Sequence, residues 1–255
     1  RIAGVRNADR YQDVFGEVLL DLARKDERIV GITPAMSTGC GMNILAREIP
    51  SRFFDVGIEE EHAVTFSAGL AAGGMKPFCN IYSSFSQRAY DEIIHDVAMQ
   101  NLPVVLCFDR AGLVGEDGAT HHGCLDLAAY RPVPNAVVSA PRNEIELKRL
   151  MYTASRYPGG PFIIRYPRGC GEGVDWRNAD YAILEPGRGE CLQEGDGRFA
   201  VLTAGPMASA ALEAASTIRK ETGVQPAVYD IRYIKPIDKS ILEAAAATGN
   251  VLTVE

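Results

Sequence analysis

The sequence has 255 residues, 47% of them hydrophobic and 23% charged, with a formal net charge of −7. That length allows one large domain or two ordinary ones with real cores, while the acidic balance argues against a nucleic-acid binder, which should show a basic stripe. No apolar run is long enough to cross a bilayer, and the N-terminus lacks the charged-then-apolar layout of a signal peptide.

YQDVFGEVLLDLARKD sets Val14, Val18, Leu19 and Leu22 on one stripe and ends in a basic turn, which predicts a helix. RIVGIT and RFFDVGI read as strands, and EEEHAVTFSAGLAAGG as a small-residue helix closed by Gly73 and Gly74. Then come the strand KPFCNIY, the helix SQRAYDEIIHDVAMQN and the strand LPVVLCFD. NAVVSA is a strand, NEIELKRLMYTASRY a helix with Asn143 as N-cap, and PFIIRYP a strand. Short apolar strands separated by helices predict an α/β fold, a parallel sheet covered on both faces. The glycine- and charge-rich stretch 171–197 breaks the rhythm and reads as a linker with a short antiparallel excursion. Alternation resumes in RFAVLTAG, an alanine-rich helix over 207–221, QPAVYDIR, DKSILEAAAATG and VLTVE. So few strands cannot bury a sheet of their own, so the second unit, 198–255, is expected to be cut short. Six cysteines (Cys40, Cys79, Cys107, Cys124, Cys170, Cys191) form no CxxC pair, and Cys79 and Cys107 sit in apolar runs as small hydrophobes. A reduced, cytoplasmic protein is expected.

Ligands of open parallel sheets bind beyond the carboxyl ends of strands. Four polar clusters fall at such ends: Glu59-Glu60-Glu61-His62, Tyr82 to Arg88, the loop DRAGLVGEDGATHHG, and Tyr166-Pro167-Arg168-Gly169. Each has a bland explanation alone. Acids in a first helical turn favour the helix dipole, and Arg88 is placed to pair with Glu92 one turn on. His121 and His122 project in different directions and no ligand motif surrounds them, so no metal site is expected there. Four clusters on one sheet edge are harder to dismiss together.

The stretches DVGIEEEHAVTFSAGLAAGG, IYSSFSQRAYDEIIHDVAMQNLPV, DRAGLVGEDGATHHG and RYPRG resemble the 1-deoxy-D-xylulose-5-phosphate synthases, transketolase-like thiamine diphosphate enzymes. The resemblance is to their pyrimidine-binding domain, here 1–170, and DIRYIKPID with VLTVE is similar to the start of their C-terminal domain. The family's N-terminal domain, whose Gly-Asp-Gly and Asn hold magnesium and diphosphate, has no counterpart here.

The resemblance implies decarboxylation of pyruvate on the cofactor and joining of the two-carbon fragment to glyceraldehyde 3-phosphate, feeding isoprenoid, thiamine and pyridoxal precursor synthesis, in a homodimer. By position in the motif, Glu60, rather than Glu59 or Glu61, keeps the far pyrimidine nitrogen protonated in a dry pocket. Phe85 would stack on the pyrimidine. Tyr82, Arg88, Arg110 and Arg168 would surround cofactor or substrate phosphate, which the arginine fork matches. Asp117 and His121 would face the substrate, His121 as proton carrier. His122 stands where Gln is expected, and its role is open. Two other classes stay open: half of another thiamine enzyme (a split transketolase or a 2-oxo-acid dehydrogenase β subunit), or a non-catalytic assembly module.

Overall fold

In the structure, a computed structural model describing residues 8–255, the alternation builds two sheets. The strands are β1 (Ile29–Thr33), β2 (Phe53–Asp55), β3 (Lys76–Tyr82), β4 (Val105–Asp109), β5 (Val137–Ser139) and β6 (Phe162–Arg165), then β7 (Glu190–Gln193), β8 (Ala200–Thr203), β9 (Ala227–Asp230), β10 (Tyr233–Lys235) and β11 (Val251–Val254). The helices are α1 (Tyr11–Lys25), α2 (Asn43–Glu48), α3 (Glu60–Ala72), α4 (Tyr90–Glu92), α5 (Asp126–Tyr130), α6 (Glu144–Arg156), α7 (Met207–Thr222) and α8 (Lys239–Ala246). One sheet runs β10-β5-β6-β4-β3-β1-β2, the other β11-β8-β9-β7. Only β10 and β7, each at a sheet edge, pair antiparallel.

Burial on both faces explains the unbroken apolar strands. In β4, Val105 and Cys107 enter the core under α1 and α6, while Leu106 and Phe108 enter the core under α3. Each such large side chain contributes about 1.5–3 kcal/mol on burial. Asn143 caps α6 as expected, its side chain accepting from the Glu146 amide at 3.1 Å; caps of this kind are worth about 1 kcal/mol.

β1 and β3 are adjacent, yet their connections leave to opposite faces. After β1 the chain packs Met42 and Leu45 against α1; after β3 it packs Ala89 and Ile93 against α3. Parallel neighbours whose connections diverge leave a crevice at their carboxyl ends. That crevice holds the candidate site.

Three features differ from the sequence expectation. The single helix expected over 86–101 is a composite: a 3₁₀ turn Phe85–Ala89, one α turn, and a π segment Ile93–Ala98. Packing decides this, because the Ser86 hydroxyl donates to the Ser83 carbonyl at 2.6 Å and accepts from Tyr130 at 2.7 Å, tightening the first turn. β10 was not anticipated. It brings YIK back to the first sheet, with the Tyr233 hydroxyl donating to the Leu184 carbonyl at 2.6 Å.

The expected linker is in large part folded against α1 and α6, the helices that cover one face of the first sheet. Trp176 is buried, and the Lys148 ammonium donates to the carbonyls of Trp176, Arg177 and Ala179 at 3.1, 3.2 and 2.7 Å. Its end is β7, an edge of the second sheet. Between the sheets, Arg142 reaches Glu146, Glu190 and Asp230 at 3.1, 2.9 and 3.2 Å, and Arg232 reaches Glu146 at 2.7 Å. Burial, with Glu146 beside it, pushes the Asp230 carboxyl well above the usual carboxylate range.

Candidate active site

A cleft of about 350 Å³ opens at the crevice between β1 and β3. Pro34, Ala35 and Met36 wall one side, Tyr82, Phe85 and Arg88 the other, and Ile58 and Glu60 close the end. The β1 wall is shaped by backbone. Ala35 adopts φ +58°, and its amide donates to Asp55 Oδ1 at 2.8 Å.

Glu60 opens α3, and only it, of the three acids, turns inward: it is 1% exposed, whereas Glu59 is exposed and Glu61 half-buried. Helix-dipole stabilisation would serve an exposed acid equally well, so burial is what marks Glu60. Among the described residues its carboxylate has one hydrogen-bond partner, the Arg88 guanidinium at 3.2 Å. Arg88 therefore pairs with Glu60 and not with Glu92. The 3₁₀ turn explains how, since residues three apart eclipse in that helix: Phe85 and Arg88 both reach the cleft. His62, on the outer face of α3, stacks on Phe66 at 5.9 Å and takes no part.

The glycine-rich loop after β4 brings the remaining expected residues to the same edge. Tyr82 stacks on Phe85 at 5.8 Å, and His121 meets Phe85 edge-on at 5.0 Å. The Arg110 guanidinium lies over the Tyr82 ring at 3.8 Å. Tyr82 packs so closely on Gly39 that a Cβ there would fall 1.9 Å from its hydroxyl and displace the ring. Gly118, at φ +83° and ψ −179°, holds a conformation essentially reserved for glycine. It separates the two short 3₁₀ turns that carry Asp117 and His121. His122 turns back into the loop, its Nδ1 accepting from the Val114 amide at 3.1 Å, so it holds the loop's shape.

The three arginines are not equally free. Arg88 is exposed, Arg168 one-third exposed, and Arg110 buried to 8% exposure. Asp117 joins two of them, reaching Arg110 at 3.3 Å and Arg168 at 2.9 Å. Arg110 also donates to the Gly39 carbonyl at 2.9 Å. Arg110 and Arg168 therefore stand side by side across one carboxylate, an arrangement that presents two forks to a doubly charged anion. The far end of the loop is fastened by Asp126, which accepts from Arg165 at 2.8 Å and Ser83 at 2.9 Å, all three buried. Asp126→Ala strands the buried Arg165 charge, and the expected cost is about 3–5 kcal/mol, read from the shift in chemical-denaturation midpoint. An unchanged midpoint would show that the latch carries no load.

The sequence reading missed the β1 wall and Asp109. The signal for the wall was present in PAMSTGCGM, a glycine-containing stretch directly after a strand. No group of three or more His, Cys, Asp or Glu side chains placed to hold a metal occurs among the described residues. No helix among them is long and apolar enough to cross a membrane.

A strand-end crevice with a buried helix-opening glutamate defines a class of cofactor-binding α/β domains, and comparison with known proteins gives the class its family. The family profile described as "Transketolase, pyrimidine binding domain" matches residues 9–172, and "Transketolase, C-terminal domain" matches residues 187–255. The chain belongs to the transketolase family. It is 55% identical over 246 residues to 1-deoxy-D-xylulose-5-phosphate synthase of Parabacteroides distasonis, a match covering 96% of this chain and 38% of the relative. It is 56% identical over 246 residues to the Phocaeicola vulgatus enzyme of that name, covering 96% and 39%. Among solved structures, a split-gene transketolase described as an inactive β4 tetramer shares 30% identity at TM-score 0.85, covering 98% of this chain and 80% of that one. The chain thus spans under two-fifths of the length of the curated relatives it matches.

Family membership implies dependence on thiamine diphosphate, and the residues present fit the pyrimidine half of that cofactor. A flat, nitrogen-rich ring finds an aromatic face in Phe85, a thioether in Met36 and a buried carboxyl in Glu60.

Proposed function

We propose that this chain is the pyrimidine-binding and adjoining C-terminal part of a 1-deoxy-D-xylulose-5-phosphate synthase. That enzyme condenses pyruvate with glyceraldehyde 3-phosphate and releases CO2, in a cytoplasmic homodimer supplying isoprenoid, thiamine and pyridoxal precursors. The observation that carries the reading is the buried Glu60 carboxyl in a cleft shared with Phe85, beside the paired Arg110 and Arg168. Identity of 55–56% to synthases along 96% of the chain supports the same assignment. When bound, thiamine diphosphate supplies a carbon nucleophile that adds to the 2-oxo acid and accepts the electron pair left by CO2.

The residues of this chain have separate tasks. Glu60 would hold a proton for the pyrimidine nitrogen of the bound cofactor, and Arg88 holds the Glu60 carboxylate in place. Phe85 and Tyr82 stack and exclude water. Arg110 and Arg168 receive the acceptor phosphate, with Asp117 fixing the space between them. His121, edge-on to Phe85, moves a proton at the acceptor carbonyl. The diphosphate and magnesium ligands come from a domain or subunit outside these residues. Ile58 and Leu113, 74% and 78% exposed, offer that second surface apolar contacts near the site.

The 255-residue chain by itself is accordingly expected to be inactive and to bind thiamine diphosphate weakly, since the diphosphate and metal carry much of the binding energy. Calorimetry checks this; micromolar or tighter binding would defeat the division of labour.

The likeness to a split-gene transketolase favours one second reading, the β half of a two-gene transketolase. Assay of the assembled enzyme separates the two. Release of CO2 from pyruvate only when glyceraldehyde 3-phosphate or another acceptor is condensed supports the synthase. Two-carbon transfer from ketose phosphates without CO2 supports the transketolase.

A further inference from the structure

Asp109 ends β4 directly beneath the site and is 1% exposed, yet none of the tasks above uses it. Its Oδ2 lies 3.1 Å from Arg110 Nη1 but has no hydrogen-bond partner of good geometry. Arg110 itself adopts φ +62°, a left-handed conformation that a non-glycine residue keeps only when its surroundings enforce it. The two neighbouring side chains of opposite charge are thereby brought together, with the guanidinium over the Tyr82 ring. The other titratable groups facing Asp109 are Cys40 beyond β1, Tyr82 at the end of β3, Cys107 on β4, Tyr166 beyond β6, and Asp117 in the loop. The thiols and phenols among them are pushed up by burial and stay neutral. Arg110 is thus the one cation in the group.

We propose that Asp109 is a positioning residue: its buried carboxylate holds the Arg110 guanidinium on the Tyr82 ring, ready for the acceptor phosphate, and loss of that charge releases it. The inference rests on reading Arg110 as a phosphate ligand. Burial pushes the Asp109 carboxyl up to about 7, and Arg110 pulls it back only in part. The carboxyl therefore takes a proton as pH falls through the neutral range, leaving Arg110 to the Gly39 carbonyl and Asp117. The site would lose its grip on a phosphorylated acceptor on the acid side and regain it on the alkaline side.

The test compares wild type with Asp109→Asn in the assembled enzyme, using glyceraldehyde 3-phosphate and unphosphorylated glyceraldehyde from pH 6 to 9. The acceptor phosphate has its own second ionisation at about 6 with both proteins. The readout is therefore the wild-type preference in kcat/KM for the phosphorylated acceptor divided by that of Asp109→Asn. That ratio is expected to rise about tenfold between pH 6 and 8, as one protein ionisation near 7 would give. In Asp109→Asn the preference is expected to keep only the slope of the substrate phosphate and to lie about tenfold below wild type at pH 8. A variant matching wild type with both acceptors at every pH overturns the proposal. So does a variant that loses both acceptors equally with a lowered melting temperature, the mark of a purely structural carboxylate. A wild type indifferent to the phosphate defeats the phosphate reading of Arg110 instead. In that event carboxyl ¹³C NMR of the aspartate-labelled chain still decides on the pair: an Asp109 midpoint near 7 supports it, and a midpoint of about 4 or below removes it.

Discussion

Glu60→Gln in the assembled enzyme is expected to lower turnover by roughly two to four powers of ten, the usual range for a group that holds or moves a proton. Glutamine keeps the shape and one hydrogen bond but cannot share a proton with the pyrimidine nitrogen. The fold should survive, because the lost ionic partner is Arg88, whose side chain is 59% exposed and readily rehydrated. Glu59→Gln and Glu61→Gln should stay close to wild type, since neither side chain enters the cleft. Steady-state rates and melting temperatures of the three variants together make the check. Equal losses at all three positions would mean that the acids only decorate a helix end.

The second large effect concerns the acceptor. Arg168→Ala should raise the Michaelis constant for glyceraldehyde 3-phosphate, or lower turnover over it, about ten- to a hundred-fold, as expected for a charged hydrogen bond to phosphate. Pyruvate kinetics and use of unphosphorylated glyceraldehyde should barely change. Lysine should rescue only in part, offering a point charge without the fork. Arg110→Ala should show the same selectivity with an added loss of stability, because it also strands Asp109 in the interior. Arg168, one-third exposed, is therefore the cleaner probe. Equal losses with and without the acceptor's phosphate would assign both arginines to the fold or the cofactor.

The difference between these two arginines shows where sequence reading stops. DRAGLVGEDGATHHG gives the residue types and the glycines that let the loop turn. It does not say that Arg110 is spent largely on internal partners while Arg168 faces out. That depends on Gly39 and Tyr82, 71 and 28 residues away in the chain, arriving at the same point. Asp109 escaped notice for the same reason, since the end of an apolar strand reads alike whether its acid meets solvent or the interior.

By itself the sequence determined the layering and the order of buried strands and helices; Glu60 was singled out only by its place in a family motif, and its burial came from the structure. Hydrophobic period and caps are local, and a strand buried on both faces or a helix with one apolar stripe writes its surroundings into neighbouring residues. Only the tertiary structure decided which strands lie side by side, and so that the crevice opens between β1 and β3. It also decided that YIK returns to the first sheet, that the glycine-rich stretch folds against α1 and α6, and that Arg88 turns to Glu60. Each of these joins segments far apart in the chain. Their pairing is set by packing and by the pairing of buried charge, which leave no periodic trace in either segment alone.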